Sequence, residues 1–220
     1  MGFLPESVSS YGDQIDRLFW AILWITGVFF FVVQGGLLFF VLKYRARPGR
    51  KASYVHGHTG LEVVWTIVPA LILLVLTVSS QKVWTQIRGL GRVPRDSLQV
   101  EVLAEQFAWN IRYPGPDQAM GTADDITTIN ELHLPIHRPV LITLKSKDVI
   151  HSFFLADFRV KQDAVPGLTT HVWLEARKAG QYEIRCAELC GLGHYRMRGQ
   201  VTVESEEDFK RWLAKTKADE

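Results

Sequence analysis

Residues 186–197 read Cys-Ala-Glu-Leu-Cys-Gly-Leu-Gly-His-Tyr-Arg-Met and contain both cysteines of the 220-residue chain. Cys186, Cys190 and His194 follow one another at intervals of four residues, and Met197 comes three residues later. Two glycines between the second cysteine and the histidine loosen the backbone, which indicates a loop wrapped around a small ligand. Thiolate, thioether and imidazole together favour copper, because soft sulfur suits Cu(I) and imidazole suits copper in either oxidation state.

Other kinds of site would use fewer of these residues than a copper site does. A disulfide is the commonest use of two cysteines in an exported domain, but it leaves His194 and Met197 without a role. A hydrolytic site needs one thiol, and zinc has little use for a methionine. A blue-copper site needs only one cysteine with two histidines and a weak methionine. The second thiolate therefore suggests a second copper, with the two sulfur atoms bridging the pair.

A two-copper site needs a second histidine from elsewhere in the chain. His151 is the best placed, because it follows Asp148-Val-Ile and opens the apolar run Ser-Phe-Phe-Leu at the junction of a strand and a loop. The other three candidates, His133, His137 and His171, have no feature that distinguishes them from an ordinary surface histidine.

Upstream of this region, the apolar residues are concentrated in two runs. Residues 18–41 and 63–78 contain no charged residue, and with its flanks each run reaches the roughly 20 residues that a membrane-spanning helix needs. We predict spans over about 18–43 and 61–85, within an N-terminal region of residues 1–88. The N-terminus lacks the basic region and cleavage site of a signal peptide, so an uncleaved anchor in the lipid bilayer is expected.

The charges that flank the two runs predict their orientation. Residues 43–51 carry five basic residues and no acidic one, and the positive-inside rule places this loop in the cytoplasm. Acidic residues outnumber basic ones before the first run. Two spans therefore put the N-terminus and the C-terminal domain outside the cytoplasm, on the periplasmic side of a bacterial inner membrane.

Glu62 is an acidic residue at the cytoplasmic start of the second run, three positions before Trp65. An acidic side chain is stabilised at the N-terminus of a helix, which accounts for the residue without a function. Ionisable groups at membrane depth also mark proton routes, which makes a proton entrance the functional alternative. The pattern alone favours the first of these two roles.

Residues 89–220 change to short strand-like segments separated by turn residues, which predicts an exported β-sandwich or small barrel. Ser205 is expected to cap a C-terminal helix whose first turn is acidic. Acidic and basic residues nearly balance in this domain, so it has no basic footprint for nucleic acid. The predicted strands are 98–104, 107–113, 128–134, 140–144, 169–175, 181–184 and 200–203.

The chain resembles subunit II of the haem-copper oxidases of the cytochrome c oxidase type, and the resemblance covers most of its length. The copper motif is highly specific, whereas the helix match alone would be weak. Four segments carry the resemblance: Cys186-x-Glu188-x-Cys190-x-x-x-His194-x-x-Met197, Asp148-Val-Ile-His151-Ser-Phe, Lys161-Gln-Asp163-Ala-Val-Pro166-Gly167, and Leu61-Glu62-x-x-Trp65-Thr-Ile-Val-Pro69-Ala.

The resemblance implies a cupredoxin-like β-sandwich behind a two-helix transmembrane hairpin, with a dinuclear copper A site. Cys186 and Cys190 would bridge the two coppers, His151 and His194 would each bind one, and Met197 would be a weak ligand. Such a centre transfers electrons and has no open position for a substrate. Oxygen reduction and proton pumping would belong to subunit I, so this chain would be a non-catalytic electron-transfer subunit of the oxidase.

The resemblance also implies roles for Glu188 and Glu62. The main-chain carbonyl of Glu188 would bind copper, and its side chain would reach a magnesium site at the boundary with subunit I. Glu62 would lie at the entrance of a proton channel in that partner. Further oxidase subunits are expected to join the same complex.

The chain departs from the family in the aromatic cluster that accepts electrons. Many members carry Gln-Trp-x-Trp, with the first tryptophan facing the donor, whereas this chain has Phe107 there and keeps the second tryptophan as Trp109. The near-neutral domain offers no strong acidic patch to steer a basic cytochrome c. No Cys-x-x-Cys-His occurs, so the expected donor is a separate c-type cytochrome or a membrane complex that delivers electrons directly.

Three rival functions each conflict with a feature of the sequence. A quinol-oxidase subunit of the same fold would lack Cys186 and Cys190. A copper-delivery module would not need Glu62 or two helices suited to packing against a larger membrane protein. A nitrous-oxide reductase would require a large additional catalytic domain that these 220 residues do not contain.

Overall fold

The computed structural model describes residues 3–88 and 93–218. Its contacts divide the chain into two units: Gln14–Gln86 is one, and Met1–Asp13 together with Ile87–Glu220 is the other. The predicted domain boundary lies between residues 88 and 89, and residues 89–92 lie outside the described residues.

Two long helices, α1 (Gly12–Tyr44) and α2 (Thr59–Arg88), contain the two apolar runs. Both are long and apolar enough to cross a membrane, and neither has a buried residue in its most apolar window. Each helix extends beyond its predicted span, with 33 residues in α1 and 30 in α2. Pro69 lies inside α2 without ending it, as tolerated in membrane helices when the freed carbonyl finds another partner.

The second unit is a sandwich of two five-stranded sheets, with an α-helix, α3 (Glu206–Ala218), at its end. One sheet has the order β3-β2-β1-β5-β8, and the other has the order β4-β10-β9-β6-β7. Most neighbouring strands are antiparallel, but β1 pairs with β5 and β4 pairs with β10 in parallel. The strands are β1 (Leu98–Glu105), β2 (Ala108–Tyr113), β3 (Ile126–Ile129), β4 (Glu131–Pro135), β5 (Pro139–Ser146), β6 (His151–Leu155), β7 (Val160–Ala164), β8 (Thr170–Glu175), β9 (Gly180–Cys186) and β10 (Arg198–Glu204).

Alternating apolar residues of the two sheets form the core between them. In β1 every second residue from Leu98 is buried, and in β2 the buried positions are Trp109, Ile111 and Tyr113. Because side chains in a strand point to opposite faces in turn, this alternation directs one face of each sheet into the sandwich. The β-sandwich prediction is therefore confirmed.

One predicted strand, 128–134, is wrong because the chain turns at Asn130. Its backbone has a φ of +61°, which breaks the extended conformation and separates β3 from β4. The Asn130 side chain accepts a hydrogen bond from the Trp109 backbone N–H at 2.8 Å, which stabilises the turn. The two strands consequently belong to different sheets.

A short N-terminal segment, residues 5–12, packs on the sandwich and has no counterpart among the predicted elements. The backbone N–H of Val8 donates to the Asp157 carbonyl at 2.9 Å, and that of Ser10 donates to the Glu175 carbonyl at 3.0 Å. Tyr11 is buried, and its hydroxyl donates to the Trp173 carbonyl at 2.8 Å. This N-terminal strap therefore lies on the same side of the membrane as the sandwich, as the charge pattern predicts.

Candidate metal centre

Two connections between strands meet at one end of the sandwich and bring the predicted ligands together. The β9–β10 connection is the motif loop, residues 186–197, and it begins at the last residue of β9. The β5–β6 connection leads to His151, the first residue of β6. β6 and β9 pair with Phe153 opposite Cys186, so the sheet itself holds the second histidine beside the loop.

The two cysteines are free thiols whose sulfur atoms lie 3.8 Å apart. The Cys190 sulfur also lies 3.7 Å from the Met197 sulfur, and the Cys186 sulfur lies 3.2 Å from the Glu188 main-chain carbonyl. Cys190 and Met197 are both buried. The loop thus turns its sulfur atoms inward around one point.

Each histidine faces one cysteine through its Nδ1 atom. His151 Nδ1 lies 3.9 Å from the Cys186 sulfur, and His194 Nδ1 lies 3.6 Å from the Cys190 sulfur. The ligand atoms of His151, Cys186 and Cys190 all lie within 4.8 Å of one another. The structure therefore brings together all six residues that the sequence nominates: His151, Cys186, Glu188, Cys190, His194 and Met197.

These distances fit bound metal. Metal–nitrogen bonds of about 2.0 Å and metal–sulfur bonds of about 2.3 Å place the two ligand atoms on one ion no more than about 4.3 Å apart. Both observed sulfur–nitrogen distances are shorter than this limit. The spacing of 3.8 Å between the two sulfur atoms likewise allows both to bind the same ions. Soft sulfur and imidazole donors favour copper over a hard cation.

The Cys190 thiol holds its proton strongly. Burial raises its pKa to about 12, and the neighbouring Cys186 adds to the rise. A metal ion must displace this proton in order to bind the thiolate, so metal loading is coupled to proton release.

Asp148 contacts both His151 and the β1–β2 connection, and it has no role among the sequence-based predictions. Its Oδ1 lies 2.8 Å from His151 Nε2, and its Oδ2 accepts the backbone N–H of Gln106 at 2.7 Å. Burial raises the pKa of the Asp148 carboxyl, but hydrogen bonds from His151, Gln106 and Val149 outweigh burial and hold the pKa below its ordinary value. The spacing Asp-x-x-His was the available signal, since it places a carboxylate close to a candidate ligand.

Phe107 lies directly against the motif loop. A Cβ atom on Gly193 would lie 2.4 Å from its ring, and a Cβ on Gly191 would lie 3.2 Å from the same ring. Gly191 also has a φ of +129°, whereas Gly193 has an ordinary φ of −88°. The two glycines thus leave space for the Phe107 ring. At Gly193 this close approach, rather than a need for unusual backbone angles, explains why the residue is glycine.

Trp109, the second residue assigned to electron uptake, is fully buried in the core. Its ring lies 6.2 Å from the His151 ring and 5.5 Å from the Phe153 ring, edge to face in both cases. Of these two aromatic residues only Phe107, which is half-buried, reaches the surface.

The remaining candidate histidines lie away from the cluster and have other partners. His133 stacks on Trp212 at 3.9 Å and lies 2.8 Å from a Glu204 carboxylate oxygen. His171 lies 3.2 Å from the Thr143 hydroxyl. His137 occupies a turn with a φ of +58°, and its backbone N–H donates to the Ala176 carbonyl at 2.8 Å.

Glu62 lies in the first turn of α2, as the sequence indicates. His58 caps this helix, because its Nδ1 accepts the backbone N–H of Leu61 at 3.1 Å. The Glu62 carboxylate folds back over Gly57, where a Cβ atom would lie 2.6 Å from Glu62 Oε1. The residue is exposed within its own unit.

The fold and the site define a class: a β-sandwich of cupredoxin type, attached to two membrane-spanning helices and carrying a cluster of soft-metal ligands. Two family models match the chain in the same order. The transmembrane domain of cytochrome c oxidase subunit II matches residues 1–83, and the periplasmic domain of that subunit matches residues 100–205.

Curated relatives and a solved structure agree with this class. The alternative cytochrome c oxidase subunit 2 of Bradyrhizobium diazoefficiens is 33% identical over 96% of this chain and 83% of its own length. Cytochrome c oxidase subunit 2 of Thermostichus vulcanus is 32% identical over 99% of this chain and 79% of its own. The crystal structure of the periplasmic domain of subunit II of Bradyrhizobium japonicum cytochrome oxidase matches with a TM-score of 0.52 and 27% identity, covering 58% of this chain and 98% of that one.

The chain belongs to the cytochrome c oxidase subunit II family. It is a subunit of a haem-copper terminal oxidase, with two transmembrane helices and a periplasmic domain. The predicted fold class, family and location are therefore confirmed.

Proposed function

We propose that this chain is the subunit through which electrons reach the oxidase: a dinuclear copper centre accepts them from a c-type cytochrome, or from a directly associated donor complex, and passes them to a haem in subunit I. The observation that carries the proposal is the convergence of two cysteine sulfurs, two imidazoles, a thioether and a carbonyl around one point. When bound, the copper pair supplies a one-electron carrier whose charge is spread over two metals.

The positions of the six residues support a role for each. Cys186 and Cys190 would hold both coppers, because their sulfur atoms lie between the two histidines. His151 and His194 would each supply one imidazole, Met197 would be a weak ligand near Cys190, and the Glu188 carbonyl would be a ligand near Cys186. Cys190, Met197 and His151 are buried, which keeps water away from these ligands and suits a centre that transfers electrons.

Metal analysis of the full chain in detergent tests the ligand assignment. We expect two coppers per chain after reconstitution in the wild type, and loss of the pair after Cys190→Ser, because an alcohol replaces a bridging thiolate. Ser205→Ala is the matched control, since Ser205 caps α3 away from the site and should leave the copper content unchanged. One copper per chain in the wild type would contradict the proposal.

Subunit I is the proposed partner at the motif loop. Leu189, Leu192 and Tyr195 on this loop are 78%, 96% and 83% exposed. Exposed apolar side chains grouped on one loop are typical of a contact surface. The exposed Glu188 carboxylate lies on the same loop, and we propose that it contributes to a magnesium site shared with subunit I.

We propose that electrons reach the copper pair through Phe107. Its ring packs over the backbone of Gly191 and Gly193, between the ligands Cys190 and His194 in sequence. Trp109 lies behind the site against His151 and supports that ligand rather than meeting the donor.

We propose that Glu62 is a proton entrance for subunit I. Its support is an exposed carboxylate in the first turn of α2, at the cytoplasmic end predicted for that helix. In the assembled oxidase, Glu62→Ala is expected to slow proton uptake several-fold, with Glu6→Ala in the N-terminal strap as the control. Unchanged turnover and pumping would contradict this proposal, and Glu62 would then only stabilise the N-terminus of its helix.

A further inference from the structure

The two ring nitrogens of His151 face different partners. Nδ1 faces the Cys186 sulfur at 3.9 Å, and Nε2 lies 2.8 Å from Asp148 Oδ1. Only a ring nitrogen without a proton can bind a metal, so the position of the proton decides whether His151 is a ligand. The His151 side chain is fully buried, which leaves no exposed surface at which water could replace the aspartate.

The Asp148 carboxylate is itself held in place from two sides. Oδ1 accepts the Val149 backbone N–H at 2.6 Å, and Oδ2 accepts the Gln106 backbone N–H at 2.7 Å. These donors favour the ionised carboxylate, which can only accept a hydrogen bond from His151. The proton of a neutral His151 ring must therefore lie on Nε2, and the Nδ1 lone pair is free toward Cys186.

Gln106 extends the same network to the motif loop. Its side-chain amide donates to the Cys190 carbonyl, while its backbone N–H donates to Asp148. One residue of the β1–β2 connection thus links the segment that holds His151 to the segment that holds Cys190. The ring of the adjacent Phe107 rests on that second segment.

We infer that Asp148 is a positioning residue of the copper site, which selects the Nε2-protonated tautomer of His151 and, through Gln106, fixes His151 relative to Cys190. This inference rests on the proposed copper site. Carboxylates that accept the second ring N–H of a metal-bound histidine orient the ring and raise its basicity, and their loss commonly costs about 10–100-fold in metal affinity. Asp148 has the geometry for that role before any metal binds.

The test uses the full chain in detergent with 15N-labelled histidine. In the copper-free wild type at mildly alkaline pH, NMR should show the His151 proton on Nε2. Asp148→Asn should shift the proton toward Nδ1, because an amide can donate to Nε2. Asp148→Glu restores a carboxylate and should recover some of the Nε2 proton. His194 serves as the internal reference, since its ring nitrogen faces Cys190 and not Asp148.

Copper release to a chelator gives the second readout. Asp148→Asn should release copper at least about tenfold faster than the wild type. Glu105→Gln is the matched control, because it removes one negative charge beside Asp148, where Glu105 pairs with Lys147 at 2.6 Å, without touching a ligand. A release rate for Asp148→Asn equal to that of Glu105→Gln would overturn the inference.

The outcomes separate this inference from the proposed function. A wild-type His151 with its proton on Nδ1 would overturn the inference, even if every Asp148 variant failed to fold. Fewer than two coppers in the wild type would contradict the proposed function and leave the tautomer result, which is measured without copper, intact.

Discussion

At the scale of single residues, the ligand loop depends on a close contact between a glycine and an aromatic ring. Gly193 has no Cβ, and the ring of Phe107 fills the space where one would lie. The contact packs the loop between Cys190 and His194 against Phe107. It also explains why a small residue is needed at a position with ordinary backbone angles.

Gly193→Ala is expected to destabilise the protein, because the added methyl group would lie 2.4 Å from Phe107 and one of them must move. Overpacking of this kind typically costs about 1–3 kcal/mol. Denaturant unfolding of the full chain gives the free energy. The double variant Gly193→Ala with Phe107→Ala removes the clash, so its loss relative to Phe107→Ala alone should be near zero. Equal losses in both backgrounds would contradict the account.

The cluster of candidate ligands could be predicted from the sequence because five of its six residues lie in one short segment. Their spacing is local, so no tertiary information is needed to place Cys186, Cys190 and His194 together. The contacts that support these ligands join residues that are distant in the sequence. Asp148 meets the backbone of Gln106, 42 positions away, and only the folded sandwich makes that pair.

At the scale of elements, the N-terminal strap completes an edge of the sandwich. Ser9 forms an isolated bridge with Ala176 just beyond β8, and its hydroxyl donates to the Phe158 carbonyl at 2.7 Å. Lys178 pairs with Glu6 at 2.7 Å, but this pair is exposed and contributes little. Buried Tyr11, packed edge to face on Trp173 at 5.3 Å, is the main anchor.

Tyr11→Ala is therefore expected to release the strap, since loss of a buried aromatic side chain costs about 3–5 kcal/mol when nothing refills the space. Hydrogen exchange of the full chain should show the Val8 and Ser10 amides exchanging at least about tenfold faster. Tyr54→Ala is the control, because Tyr54 is 86% exposed in the other unit. Unchanged protection of both amides would show that the strap does not depend on Tyr11.

The strands that sequence reasoning missed lack the signals on which it relies. In β6 four of five residues are buried, so the apolar and polar residues do not alternate. β7 is mostly polar and short, and the strap is an irregular segment with a single bridge. The two membrane helices could be predicted because a continuous apolar run of such length is rarely anything but a membrane span.

At the scale of the whole molecule, the chain combines a two-helix anchor with a periplasmic domain whose candidate metal site is formed by the β5–β6 and β9–β10 connections, with the β1–β2 connection in contact with both. A formal charge of +2 over the whole chain gives little long-range attraction for a charged donor. We therefore expect recognition of an electron donor to depend on short-range contacts around Phe107 and the exposed loop residues, rather than on electrostatic steering.

We propose above all that two thiolate-bridged coppers share one electron in this chain. The most direct measurement is the EPR spectrum of the reconstituted full chain in its mixed-valence Cu(I)/Cu(II) form. We expect the wild type to show hyperfine splitting by two equivalent coppers, and we expect Cys190→Ser to abolish this splitting. An ordinary four-line spectrum from a single copper in the wild type would contradict it.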